Sequence, residues 1–266
     1  MFDFDKNFEA FALSWYEAHK DKIEDEEAFE QQMPALYEQW LNTPVKEIGG
    51  VTPQSYFAKE TPDSLVEKMA ACAESSEPPS VLLDAIAECE ACAQPLAALV
   101  ASSSCDHARL IASNLLTEMG AAQPLDAYVK LLTDTKADEG LVERAVEVLC
   151  DYAGDVREKL YAVLPSCSLT QKGMVAEILV NAAHDDRTYK LLEELFAAGD
   201  NVPYYAGLIG KYGDERASGM LYRALDTCDY AEYLEIKNAI ERMGGVVDVD
   251  RDFSEDPTFL AVKNLR

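Results

Sequence analysis

The chain has 266 residues, 48% of them hydrophobic, with 23 Lys and Arg against 49 Asp and Glu for a formal charge of −26. That hydrophobic content excludes wholesale disorder, and the charge excludes a phosphate-backbone binder, which needs a basic stripe. No apolar run approaches the ~20 residues of a membrane-spanning helix. The start, MFDFDKNFEAF, lacks the charged-then-apolar run of a signal peptide, and the seven cysteines read as free thiols, so a reduced, cytoplasmic setting is expected.

Residues 4–20 and 24–42 are expected to form two amphipathic helices packed as a hairpin. Phe8, Phe11, Ala12 and Trp15 mark one apolar stripe, and Phe29, Met33, Leu36, Tyr37 and Trp40 the other. KIEDEEAFE between them is an acidic helix start, favoured by the helix dipole. The stretch LNTPVKEIGGVTPQSYF comes next. Gly49 and Gly50 interrupt it, Thr52 is an N-cap with Pro53 at the first helical position, and Thr61–Pro62 repeats the device. Trp40, Thr43–Pro44, Gly49–Gly50 and Thr52–Pro53 together resemble a short element of some small bacterial helical proteins, antitoxin C-terminal domains among them. A structural turn that locks the N-terminal helices onto the first repeat explains the same residues.

Helices are expected over 63–76 and 79–101, separated by the loop ESSEPPS, whose prolines cannot continue a helix. From there the chain reads as repeated helical hairpins. The second helix of each ends in NLLTEMG at Gly120, VLCDYAG at Gly154, LVNAAH at His184, LIGKYG at Gly213 and AIERMG at Gly244, at intervals of 34, 30, 29 and 31 residues. After each stop comes a short polar or mixed start and another apolar helix. In the last unit Asp214 caps a helix carrying Met220, Leu221, Ala224 and Leu225, and its partner carries Tyr233, Ile236, Ile240 and Met243.

YGDERASGMLYRAL with AIERMGG, and LEELFAAGD with LIGKYGD, resemble the HEAT-repeat superfamily in its short bacterial form, over roughly residues 63–245. The Trp-Leu-Gly-Tyr spacing of tetratricopeptide repeats is absent. The resemblance implies an all-α fold, a right-handed α-α superhelix with an N-terminal helical cap. The expected organisation is a cap at 1–62, repeats at 63–245, and an acidic tail at 246–266 whose DPTFLAVKNLR makes a short closing helix. Solenoid ends require such caps.

Four groups of residues carry side chains capable of chemistry. Cys89, Cys92, Cys105 and His107 carry zinc-type ligands in C-x2-C-x12-C-x-H spacing. Against zinc, Leu82, Ile86, Cys89, Cys92, Leu96 and Leu99 run at core-helix spacing, so buried structural thiols are the expectation. Asp248, Asp250, Asp252, Ser254 and Asp256 alternate like a calcium loop, yet Phe253 and Phe259 stand where such a loop needs Gly and Glu. His19, His107 and His184 fit no catalytic motif, and His184 reads as a turn residue. Tyr204, Tyr205, Tyr212, Tyr222, Tyr230 and Tyr233 crowd the last repeats, as packing or as an aromatic patch. No nucleophile elbow, phosphate loop or dinucleotide motif is present, and neither cofactor nor metal is expected.

In arrays of this kind the second helices line the concave surface. Counting back from each stop, positions −7 and −3 are Ser113/Thr117, Glu147/Asp151, Glu177/Asn181, Ala206/Gly210 and Lys237/Glu241. They are expected to form a row, acidic in the middle, that accepts a basic or polar peptide, with Ala206 and Gly210 leaving room for a side chain. The function this favours is a non-enzymatic scaffold, monomeric, that binds another protein through its concave face. The alternatives are an enzyme accessory or lyase-like protein acting on a small ligand, and an antitoxin-like regulator.

Overall fold

The computed structural model describes residues 2–23, 25–248 and 251–263. Among these the secondary structure is helical throughout, with a lone bridge between Val45 and Val51. The chain divides into two compact units, Met1–Pro124 and Leu125–Arg266, a division the repeat spacing does not announce.

The first unit opens with α1 (Phe4–His19), α2 (Glu26–Glu30) and α3 (Met33–Leu41). The single helix expected over 24–42 is broken at Gln31–Gln32. The cause is Pro34, which lacks an N–H and would clash with the carbonyl four residues back, so it occupies the first turn of a new helix. Trp40 is buried, and its Nε1 donates to Asn7 Oδ1 at 3.0 Å, tying α3 to α1. At the turn, Gly49 and Gly50 take φ of +82° and +79°, and Val45 N donates to Val51 O at 3.0 Å. Then α4 (Pro53–Tyr56) and α5 (Pro62–Ala73) start as the sequence indicates, Thr52 and Thr61 accepting from Ser55 N and Ser64 N, with Pro in the first turn of each.

The helix expected over 79–101 is likewise two, α6 (Ser80–Ala87) and α7 (Ala93–Ser102), joined through a 3-10 turn at Glu90–Cys92. Pro95 imposes this break as Pro34 does the other. α8 (Asp106–Glu118) closes the unit and ends at Gly120, φ +60°. α1 packs on α3 and α6, α4 on α3 and α6, and α5 on α6, α7 and α8. Tyr37 donates to Asp84 Oδ2 at 2.7 Å, a further bond from the N-terminal helices to α6.

The second unit comprises α9 (Leu125–Leu131), α10 (Glu139–Asp151), α11 (Ala153–Val163), α12 (Leu169–Leu179), α13 (Asp186–Ala198), α14 (Val202–Tyr212), α15 (Ser218–Ala224), α16 (Tyr230–Arg242) and α17 (Pro257–Lys263). The stops at Gly213 and Gly244 are left-handed, at φ +72° and +84°. The stop at Gly154 is not one: α10 ends at Asp151, and Gly154 is the second residue of α11. His184 lies in the lead to α13, its ring stacked 4.3 Å from that of Tyr212. Even-numbered helices meet in sequence, α10 on α12, α12 on α14 and α14 on α16, and each also packs on its odd-numbered neighbour. Leu141, Ala145, Leu149, Ala176, Leu179, Ala206 and Ile236 are fully buried in this core.

Two matching clasps join the odd-numbered helices. Arg187, at the start of α13, donates to Asp185 and, through Nη1 and Nη2, to both Glu158 oxygens at 2.9 and 2.7 Å, while its guanidinium lies 3.8 Å above the Tyr161 ring of α11. Arg216, before α15, donates to Asp214 and to Asp186 Oδ1 at 2.8 Å and lies 4.2 Å above the Tyr189 ring of α13. Acid and tyrosine stand three apart on the gripped helix, which places them on one face. Between α9 and α11 the link is instead the Lys159–Asp126 ion pair.

At the end of the unit α17 packs on α16. Asp256 accepts from Thr258 N and Phe259 N, capping α17, and from Tyr230 N of α16 at 3.1 Å. Arg251 donates to the carbonyls of Leu225 and Cys228. Of the alternating acids, Asp256 is thereby taken up as a cap, Asp252 accepts from Ser254 N in a turn, Asp248 is exposed, and Asp250 lies outside the described residues.

Candidate functional site

The row expected from the sequence divides into four parts. Ser113 and Thr117 belong to α8 of the first unit; Ser113 is fully buried, and Thr117 donates to its carbonyl and accepts from Gln123. Ala206 and Gly210 leave no gap. Both are buried, and a Cβ on Gly210 would stand 2.7 Å from Ala239 Cα, because α16 lies directly against that face of α14. Small residues here serve close helix approach rather than an opening. Lys237 and Glu241 stand one turn apart on α16 at 3.8 Å.

The acidic middle is different. Glu147 and Glu177 line one cleft of about 580 Å³ with Glu143, Val146 and Cys150 of α10, Thr170 and Met174 of α12, and Asp200, Asn201, Tyr204 and Tyr205 at the start of α14. Asp151 is exposed at the end of α10, and Asn181 turns back to donate to the Glu177 carbonyl at 2.8 Å, closing α12. Four carboxyl groups and no basic side chain line the cleft among the described residues.

Local packing explains its shape. Gly173 sits mid-helix in α12, where glycine costs about 1 kcal/mol against alanine. Its missing side chain lets the Tyr204 and Tyr205 rings approach, each 3.4 Å from where a Cβ would be. Tyr204 is thus carried across to α12, and its hydroxyl donates to Glu177 Oε2 at 2.6 Å. Burial and the Glu177 carboxylate push the Tyr204 phenol well above its ordinary value. Cys150 donates weakly to the Glu177 carbonyl at 3.8 Å, and burial pushes its thiol up. Glu147 accepts from Arg144 at 2.9 Å. The cleft therefore offers carboxylate acceptors on apolar and aromatic walls, and its thiol is a poor nucleophile near neutral pH.

Glu143, Cys150, Asp200 and Tyr204 were missed by the sequence row. Glu143 lies one turn before Glu147, so extending the row by a turn reaches it; the tyrosines arrive through Gly173, which periodicity does not reveal.

The zinc-type residues do not converge as one ligand set, and only Cys89 and Cys92 stay side by side, Cys92 N donating to Cys89 O at 2.8 Å. Cys92 Sγ faces the Pro62 carbonyl at 3.9 Å, Cys105 Sγ the Ala73 carbonyl at 3.7 Å, and His107 stands 3.1 Å from Glu77. Cys89 is in the extended link before the 3-10 turn, off the core stripe, and Cys92 is buried. Of the crowded tyrosines, Tyr212 bonds Asp185, Tyr222 bonds Val246, and Tyr230 and Tyr233 pack edge-on or tilted against Phe253. Among the described residues no three His, Cys, Asp or Glu side chains converge as metal ligands, and no helix is long and apolar enough to cross a membrane. Comparison with protein-family models, with curated proteins and with solved structures returns no match.

Proposed function

We propose that this protein is a non-enzymatic interaction scaffold whose second unit holds a basic peptide segment of another protein in the α10–α12–α14 cleft. The observation that carries this reading is the lining itself: four carboxyl groups, no base, and an apolar and aromatic wall suited to the aliphatic stem of a lysine or arginine. The raised Cys150 thiol and Tyr204 phenol favour binding over chemistry, since neither group is ionised near neutral pH. The proposed architecture is a right-handed α-α superhelix of HEAT type. Its support lies in the successive contacts of even-numbered helices and in the clasps between odd-numbered ones within the second unit.

The test is capture from lysate at low salt with a salt-step elution, comparing wild type with Glu143→Lys/Glu147→Lys, two exposed positions. The reading expects a protein released by salt and lost in the variant. Identical captured sets would overturn it.

A further inference from the structure

The first unit contains an open groove of about 390 Å³, separate in sequence from the cleft. Its floor is apolar: Phe57, Leu65 and Val81 are buried side chains, and half-buried Leu41 at the end of α3 completes it. Ala58 and Ala85 border this floor, and their small size keeps it open. The rim is acidic. Glu60 already holds Lys68 at 2.9 Å, and Asp84 accepts from Tyr37, whereas Glu88 and Glu118 stand exposed to solvent. The size falls within the ~300–1,000 Å³ usual for ligand pockets.

We infer that this groove is a second docking site, for a partner-protein segment bearing one leucine-type anchor flanked by lysine or arginine. The anchor covers the floor formed by α3, α4, α5 and α6, and the flanking cations meet Glu88 and Glu118. Charge complementarity selects the occupant, because a chain of −26 repels an acidic segment and steers a basic one. The apolar floor adds a requirement that charge alone does not create. A purely basic segment leaves the floor wet, and a purely apolar one leaves the rim unpaired. The first unit therefore reads one hydrophobic residue within a basic context.

The test uses the full chain and a fluorescein-labelled peptide with one leucine between lysines, followed by anisotropy. Two comparison peptides carry Leu→Ser or all Lys→Glu. The leucine peptide is expected to bind at least about tenfold more tightly than the serine peptide. Ala58→Trp, an exposed position that fills the groove, should remove that preference, and Glu88→Lys/Glu118→Lys should weaken both lysine peptides. Glu143→Lys/Glu147→Lys should leave the leucine preference intact, which separates this groove from the cleft. Equal binding of leucine and serine peptides to wild type would overturn the inference, as would an unchanged preference in a folded Ala58→Trp. Should Ala58→Trp not fold, the rim variant decides: a leucine peptide bound as by wild type overturns it.

Discussion

Two glycines of one helix should respond with opposite sign to the same substitution. Gly207 and Gly210 both lie within α14, and a Cβ on Gly207 meets nothing within 4 Å. Gly207→Ala should therefore yield only the helix-propensity gain, about 0.5–1 kcal/mol. On Gly210 the added carbon meets Ala239 Cα at 2.7 Å and Cβ at 2.9 Å. The first contact is backbone and cannot rotate away, so α14 and α16 must separate at an overpacking cost of about 1–3 kcal/mol, leaving a net loss of about 1 kcal/mol. The two variants should differ by about 2 kcal/mol, about 30-fold in the local opening equilibrium. Hydrogen exchange of α14 and α16 amides by mass spectrometry reads this directly. Trp15 and Trp40, both in the first unit, supply a fluorescence control for damage elsewhere. If both variants raise protection alike, the close approach of α14 to α16 is wrong.

Tyr204→Phe deletes the donor to Glu177, and the hydrogen bond to a charged group predicts a loss of about 1–2 kcal/mol in urea unfolding; an unchanged midpoint would remove that bond from the account. The Arg187 side chain, then its backbone N–H, hold Asp185 down to about 2 from the ordinary 3.8. Its depressed folded value places the stabilisation above about pH 4 and loses it as pH falls toward 2. Asp185→Asn should flatten that stretch of the acid-unfolding curve, and an identical curve would count against the clasp. Burial raises the thiols of Cys150 and Cys228 and pushes Cys92 up to about 12, so iodoacetamide near neutral pH should label all three only after unfolding, as peptide mapping would show. Arg216→Lys keeps the charge and loses the forked bonds and much of the ring contact, so it should lower the melting temperature; full retention would mean that charge alone suffices.

Much of the helical content was legible because caps are local chemistry. Thr52–Pro53, Thr61–Pro62, Gly213 and Gly244 act where the sequence places them, whereas Asp214 caps a 3-10 turn at Glu215–Ala217 and the helix with Met220 and Leu221 begins only at Ser218. Two long helices were expected through Pro34 and Pro95 because their apolar stripes run on across each break, and a stripe does not register a missing N–H. Gly154 misled for the converse reason, since a glycine after an apolar run resembles a stop even when the next helix has begun. The site was half legible. Helical spacing put Glu147 and Glu177 on a common side, but only the packing shows that α16 fills the face of Ala206 and Gly210. The clasps carry a signal in the sequence as well: Asp185 and Asp214 each stand two residues before an arginine, 29 residues apart; Asp155 and Arg157 share that spacing, but there the link is the Lys159–Asp126 pair.

Residues 185–189 grip in both directions. Arg187, held by Asp185, reaches back to Glu158 and Tyr161, while Asp186 and Tyr189 receive Arg216 from ahead. Plug and socket thus occupy one five-residue stretch. Such a connector is indifferent to the length of chain between successive copies, so loops can gain or lose residues without shifting the register of the helices. A hairpin duplicated together with this stretch would bring a complete fitting for each neighbour, and the chain could lengthen by tandem copying with no new interface to invent.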